Sequence, residues 1–430
     1  MSNQRDNLRV RKLPKAGIPW EELEQRLAHF KKDDFDWRQG RVPSYTYFFN
    51  DETMQVQAQA YTAFIGENGL GAGRAFKSLS YMLEDIYAMG LRLFNAPANA
   101  GASFTSGGTE SVFMAVKTAR DQALDKRSIN GMILATPLNI VAGYSAHPCL
   151  NKAAHLLGLE VKRVALDDEY RMDMAAVEEA IDDKTIMIYA SAPNYPYGVF
   201  DPIPALGQLA IRHRLWLHVD GCWGGFISPF ARQLGYPIPE WDLGVDGVTS
   251  LSADIHKFGY SAKGASLVLY ADATVQAYEK FEFSGWPRGT YATPTFGGST
   301  PAGAIASAWA VMAHLGEEGY LKATAETMEA TTSLIRKINE LPELQCLQPN
   351  GESNLFAYVS TDATVDIMAL ADQLETMGWF RGRLREPLAI QQGVNPAHLP
   401  VVDDYIAAVK AAILEVKGKG KRAVYDEHSY

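Results

Sequence analysis

The sequence predicts an α/β protein, with a large domain on a mostly parallel sheet followed by a smaller C-terminal α+β domain. Three observations carry this. Strand-like runs alternate with helical stretches between residues 132 and 270. Beyond the loop TYATPTFGGSTPAG (290–303) the pattern changes to one long helical run. The chain has 430 residues, more than a single core usually organises. The expected division is an N-terminal segment (1–55), a large domain (56–303) and a small C-terminal domain (304–430).

In chain order, residues 56–96 read as helix, loop and helix, the loop being GENGLGAGR (66–74). A further helix opens directly after TSGGTES (105–111), with Val112, Phe113, Val116 and Ala119 on its apolar face. Strands are expected at 132–136, 160–166, 185–191, 215–219, 247–253 and 265–270, separated by helical segments such as HPCLNKAAHLLG, MAAVEEAI and IPALGQLAIRHR. Strands alternating with crossover helices build a buried, largely parallel sheet covered on both faces. The C-terminal part opens with the long helical run from Ala304, continues through FAYVS, VDIMALADQLETMGW and LAIQQGV, and closes with a helix over VVDDYIAAVKAAILEVK. No internal repeat or low-complexity block interrupts it.

Composition narrows the function. Hydrophobic residues make up 47% and charged residues 21%, the balance of a globular chain. Forty basic against fifty acidic residues give a net charge of −10, which argues against a nucleic-acid surface. The three cysteines, Cys149, Cys222 and Cys346, stand far apart with no CxxC pair, so neither a disulfide framework nor a metal site is expected. A reducing cytoplasm is the expected setting. The N-terminus is polar and basic, and no stretch reaches the ~18 consecutive apolar residues of a membrane span, so a soluble protein without a transmembrane segment is expected.

Four segments bear chemistry. In LSADIHKFGYSAKG, Lys257 follows a strand among apolar neighbours, where desolvation is expected to depress its ammonium and free the amine to form a Schiff base; a solvated loop lysine is the alternative. TSGGTES places two glycines at a helix start, whose N–H groups suit a phosphate, with Thr105, Ser106, Thr109 and Ser111 nearby; an ordinary turn would look the same. HVDGCWGG puts Asp220 at the carboxyl end of a strand, where a buried carboxylate needs a cationic partner such as a protonated pyridine, or caps the next element. His147 in HPCLNKAA stacks on a flat ring or caps its helix. Each reading alone is ambiguous. The ordered set of phosphate cup, His147, Asp220 and Lys257 describes a pyridoxal 5′-phosphate pocket, in which the protein positions and tunes an electron sink.

The segments TSGGTESVFMAVKTAR, HVDGCWGGF, SLSADIHKFGYSAKGASLVLY and YATPTFGGSTPAG resemble those of the sphingosine 1-phosphate lyases, within the group II decarboxylase-like family of pyridoxal-phosphate enzymes. The likeness covers roughly residues 40 to 310, and its D-x-H-K-x-G-x-x-x-K-G core is specific to this neighbourhood. It implies the fold type I, aspartate aminotransferase-like architecture. It further implies Lys257 as the cofactor-linked lysine, His256 near the cofactor phosphate, Asp220 on the pyridine nitrogen, His147 on the ring, and Gly108 and Thr109 at the phosphate. Asn194 is expected near the cofactor. The family takes a phosphate contact from a neighbouring subunit, which maps onto Gly298 and Ser299. A homodimer with its active site at the subunit interface follows, with the N-terminal segment reaching across.

Two reactions share such a pocket: decarboxylation of an amino acid, and retro-aldol C2–C3 cleavage of a phosphorylated amino alcohol to an aldehyde and phosphoethanolamine. Related decarboxylases carry an arginine in the C-terminal strand for the substrate carboxylate. This strand reads LAIQQGVNPAH, with Gln391 and Gln392, which favours the lyase unless Arg381, Arg383 or Arg385 substitutes. A regulatory member that binds cofactor without turnover is the third class, against which the intact lysine, aspartate and histidine set argues. The resemblance makes Lys263 the second lysine of the lyases, at the anionic head group, and matches Tyr47 to a tyrosine that handles a proton or the phosphate; Tyr195 and Tyr197 are further substrate candidates. One departure stands out. GENGLGAGRAFKSL lacks a histidine the lyases carry there, and Thr300 replaces a frequent arginine, leaving Arg74 and Lys77 to supply positive charge.

Overall fold

The computed structural model describes residues 8–129, 137–347, 351–420 and 423. Its centre is a seven-stranded sheet of β1 (Gly101–Thr105), β2 (Asn139–Gly143), β3 (Glu160–Val164), β4 (Thr185–Ser191), β5 (Trp216–Asp220), β6 (Val248–Ala253) and β7 (Ser266–Tyr270). The spatial order is β1-β7-β6-β5-β4-β2-β3. Strands β2 to β6 pair in parallel, and β7 alone runs antiparallel to its two neighbours, β6 and β1. All residues of β4 and β5 are buried, as expected of central strands covered by helices on both faces.

Five of the expected strands are present, β4 with the expected ends and the other four with ends shifted by one or two residues. The expected strand at 132–136 lies outside the described residues. Two strands of this sheet escaped the periodicity: β1 is five residues of mostly small side chains, and β2 hides in a run that continues into a loop. A short hairpin of β8 (Phe281–Phe283) and β9 (Tyr291–Thr293) follows the sheet.

The run read as one long helix spans Ala302–Asn339 but breaks at Gly316, whose φ of 54° and ψ of −169° only glycine adopts readily. Before the break it packs Ile305, Ala308 and Val311, and after it Met328, into the apolar core of the large sheet. Its last turns carry Leu334, Ile335 and Ile338 into a second core with Phe356, Ile390 and Val409. That second core lies on a four-stranded antiparallel sheet in the order β10-β11-β13-β12, made of Leu344–Cys346, Leu355–Ser360, Leu388–Gly393 and Gly382–Arg385 respectively. The helix Val402–Lys419 closes this layer.

Candidate active site

The carboxyl ends of β4, β5 and β6 converge on a cleft of about 420 Å³, lined by His147, Asp220, Lys257 and the helix start at Gly107–Glu110. This is where ligands sit on open α/β sheets, because the strand ends and the helix N-termini that follow them face the same way.

Asp220 ends β5. Its Oδ2 accepts a hydrogen bond from the Tyr189 hydroxyl on β4, and its Oδ1 accepts from the Cys222 N–H (3.0 Å) and the Ser252 hydroxyl (3.2 Å). Burial pushes the carboxyl up, but the hydrogen bonds from Cys222 and Tyr189 and the proximity of His147 hold it below its ordinary value. The group is an anion held by neutral donors. His147 stands above the cleft, its Nδ1 accepting from the Cys149 N–H at 3.2 Å, so it caps its helix as well as facing the cleft. Burial lowers its pKa, keeping the imidazole neutral.

Lys257 reaches the cleft from the turn after β6, and its Nζ lies 2.9 Å from Asp254 Oδ2. Burial pulls the ammonium down, but Asp254, with Tyr47 and Cys222 nearby, lifts it well above the ordinary lysine value. The lysine is therefore not depressed as expected, because the carboxylate three residues upstream outweighs desolvation. His256 Nε2 lies 3.6 Å from the same carboxylate, and burial lowers its pKa.

The helix Gly108–Ile129 begins at the cleft; the Glu110 and Ser111 N–H groups bond to the Gly107 carbonyl at 2.9 and 3.0 Å, and the N–H groups ahead of them are those a helix leaves without an intrahelical partner. A Cβ at Gly108 would stand 2.6 Å from Cys222 Sγ and 3.0 Å from both Asp254 oxygens, so glycine keeps this cradle open. Thr105 and Ser111 are not at the cradle; both are buried, bonded to each other at 2.6 Å, with Ser111 also bonded to Ser266. Glu110 joins the site without a sequence signal of its own. One of its oxygens accepts from the Ser106 N–H and hydroxyl, and the other from the Phe296 and Gly297 N–H groups, clasping the 294–299 loop to the helix start.

Tyr47 and Tyr195 line the cleft, each edge-on to Trp223. Lys263 lies beside it in an adjoining pocket that shares Tyr45, Tyr47 and His256, with its Nζ 4.3 Å from the Tyr47 ring centroid. Burial, then the charge of Lys257, pulls the Lys263 ammonium down to about 8. Tyr45, also missed, borders the cleft in the left-handed region at φ 67°.

Other expected residues lie elsewhere. Asn194 is fully buried and held by the Tyr197 N–H and the Tyr170 carbonyl, outside the cleft lining, because it folds its own turn. Tyr197 stacks on Tyr170 and donates to the Glu386 carbonyl, lining a neighbouring chamber. Gly298 and Ser299 are outside the cleft of their own chain; Ser299 Oγ accepts from Asn68. Arg74 and Lys77 also lie outside it. Arg381 is buried against Gln392, Trp379 and Tyr405, and Arg383 pairs with Asp372 and Glu375. Among the described residues no arginine lines the cleft.

The model of the pyridoxal-dependent decarboxylase conserved domain matches residues 79–355. The chain is 36% identical to a sphingosine-1-phosphate lyase of Arabidopsis thaliana over 413 residues, covering 94% of this chain and 74% of that one. Against sphingosine-1-phosphate lyase 1 of Mus musculus the identity is 34%, over 97% and 73%. The chain belongs to the sphingosine-1-phosphate lyase family. Among solved structures, a family member from Burkholderia pseudomallei superposes with a TM-score of 0.89 at 32% identity, covering 96% of this chain and 94% of that one. The fold extends to a glutamate decarboxylase of Lactobacillus brevis, with a TM-score of 0.85 at 20% identity over 99% and 98% of the two chains. As a member of this family the protein is a pyridoxal-phosphate-dependent lyase of fold type I. The cradle at Gly108, the Asp220 anion held by neutral donors and the reachable Lys257 amine suit that cofactor's phosphate, ring nitrogen and aldehyde in turn.

Proposed function

We propose that the protein cleaves sphingosine 1-phosphate, or a similar phosphorylated long-chain amino alcohol, between C2 and C3, releasing a long-chain aldehyde and phosphoethanolamine. One observation supports this choice over amino-acid decarboxylation: among the described residues no arginine lines the cleft to hold a substrate carboxylate, while Lys263 stands over Tyr47 at its side, a cation suited to an anionic head group.

In this reading Lys257 binds the cofactor, with Asp220 at the ring nitrogen, His147 on the ring, and Gly108, Thr109 and His256 at the phosphate. When bound, the cofactor supplies an electron sink for the bond broken at the amine-bearing carbon. Tyr47 remains a neutral hydroxyl, since burial pushes its pKa up, and so donates hydrogen bonds rather than acting as a base. Lys263 holds the substrate phosphate. As the C2–C3 bond breaks, the 3-hydroxyl gives up a proton and C2 gains one; the Lys257 amine in the cleft can take the first and deliver the second, with Tyr47 donating a hydrogen bond.

We also read the chain as the three parts 1–55, 56–303 and 304–430, working as a cytoplasmic homodimer whose cleft is completed by Gly298 and Ser299 of a second copy. The helix Trp20–Phe30 buries none of its residues, and Trp20, Leu27, Phe30, Phe281, Phe283 and Phe296 are exposed, which supports a large contact with another copy. Among the described residues no helix is long and apolar enough to cross a membrane. The test is to incubate cofactor-loaded protein with sphingosine 1-phosphate, unphosphorylated sphingosine, and aspartate, glutamate, tyrosine or phosphoserine. Aldehyde from the phosphorylated lipid alone is expected; carbon dioxide from an amino acid without aldehyde would overturn the reading.

A further inference from the structure

We propose that Tyr189 and a one-way chain of neutral donors, Trp216–Ser250–His218–Ser252, are positioning residues that hold Asp220 as an anion aimed into the cleft. The proposal rests on the reading that Asp220 meets the cofactor's ring nitrogen.

Central strands of a covered sheet normally read as continuous apolar runs. Here β5 alternates, and its period of two puts Trp216, His218 and Asp220 on one face. The register sets His218 opposite Ser250 and Asp220 opposite Ser252 on β6, and Tyr189 opposite His218 on β4. Tyr189, His218, Ser250 and Ser252 are all fully buried. So much polarity inside a core is tolerable only when every group is satisfied.

The donor logic gives the chain its direction. An indole N–H can only donate, and Trp216 Nε1 donates to Ser250 Oγ at 2.7 Å. The Ser250 proton is then free for His218 Nδ1, 2.8 Å away. Burial lowers the His218 pKa to about 4, so the ring is neutral. With Nδ1 accepting, its proton sits on Nε2, which donates to Ser252 Oγ at 3.3 Å. Ser252 passes its own proton to Asp220 Oδ1 at 3.2 Å. From the other side the Tyr189 hydroxyl donates to Oδ2, and Tyr189 leans on the His218 ring at 5.3 Å. Each link thus polarises the next toward the carboxylate. Donors that stabilise the carboxylate make it a weaker base, which favours keeping a shared proton on the ring nitrogen facing it, the form of the cofactor that withdraws electrons.

The test uses the protein loaded with 15N-labelled pyridoxal phosphate. In Tyr189→Phe and Ser252→Ala the ring-nitrogen signal should move from the protonated toward the neutral pyridine position, with kcat lowered by about tenfold and KM within about twofold. Ser252→Thr, which keeps the hydroxyl, should return the signal toward that of the unaltered protein. A merely structural role would lower thermal stability and leave the nitrogen signal in place, and that result would overturn the proposal. Where Tyr189→Phe does not reach the loaded fold, the Ser252→Ala and Ser252→Thr pair decides. Asp220→Asn separates the two layers. If it leaves the signal unmoved, the placement of Asp220 at the ring is wrong; if it moves the signal while the Tyr189 and Ser252 variants do not, the donor chain is.

Discussion

Asp220 and Asp254 end adjacent segments of the same sheet and are almost equally buried, yet they keep opposite company. Asp220 is surrounded by neutral donors from Tyr189, Cys222 and Ser252. Asp254 faces the Lys257 ammonium at 2.9 Å, with His256 at 3.6 Å. Both carboxyls lie below their ordinary pKa, for different reasons: hydrogen bonds and a nearby imidazole counter burial at Asp220, whereas the charges of Lys257 and His256 do so at Asp254. A carboxylate held only by neutral donors is ready for a cation brought by a ligand. One already paired with a lysine keeps that lysine charged and in place until a ligand claims the amine.

Removing Lys257 has the largest expected effect. Lys257→Ala should lower turnover by several orders of magnitude, measured as aldehyde release, because no other lysine reaches the cleft among the described residues. The two aspartates should then separate by protein state. Without cofactor, Asp254→Ala leaves the Lys257 charge unpaired and should cost about 3 kcal/mol by denaturant unfolding. Asp220→Ala removes an acceptor from neutral donors and should cost about 1–2 kcal/mol. With cofactor the order in activity should reverse, Asp220→Ala lowering kcat more. Equal effects in both states would dissolve the contrast.

A smaller effect concerns Lys263, whose pKa lies at about 8. A cation with this value is present below pH 8 and lost above it. The kcat/KM for a phosphorylated substrate should therefore fall above pH 8, by up to about tenfold over the next unit, and Lys263→Met should lack that limb. The smallest change is expected at Arg385, in the neighbouring chamber rather than the cleft. Arg385→Ala should leave KM for the phosphorylated substrate within about twofold, whereas a carboxylate-binding arginine would raise it far more.

The four chemical segments were legible only as an ordered set, since each alone also fits a turn, a cap or a surface lysine. His147, Asp220, Lys257 and the Gly108 cradle do meet in one cleft. Less legible was what one strand does to another. Asp254 stands in the same quoted run as Lys257, yet its ion pair depends on a turn that no spacing rule specifies. The Tyr189 and Ser252 bonds to Asp220 arise from register across β4, β5 and β6, although the alternation in LWLHVD and VTSLSA was visible as polarity in buried strands. Asn194 misled because a turn-forming amide and a ligand-binding amide look alike in sequence.

The central claim is that Lys257, held by Asp254, is the lysine that takes the cofactor. Borohydride reduction of the loaded protein, followed by peptide mass spectrometry, locates that bond directly. The pyridoxyl mass is expected on Lys257 alone; finding it on Lys263, or on no lysine of the segment 251–264, would contradict the assignment.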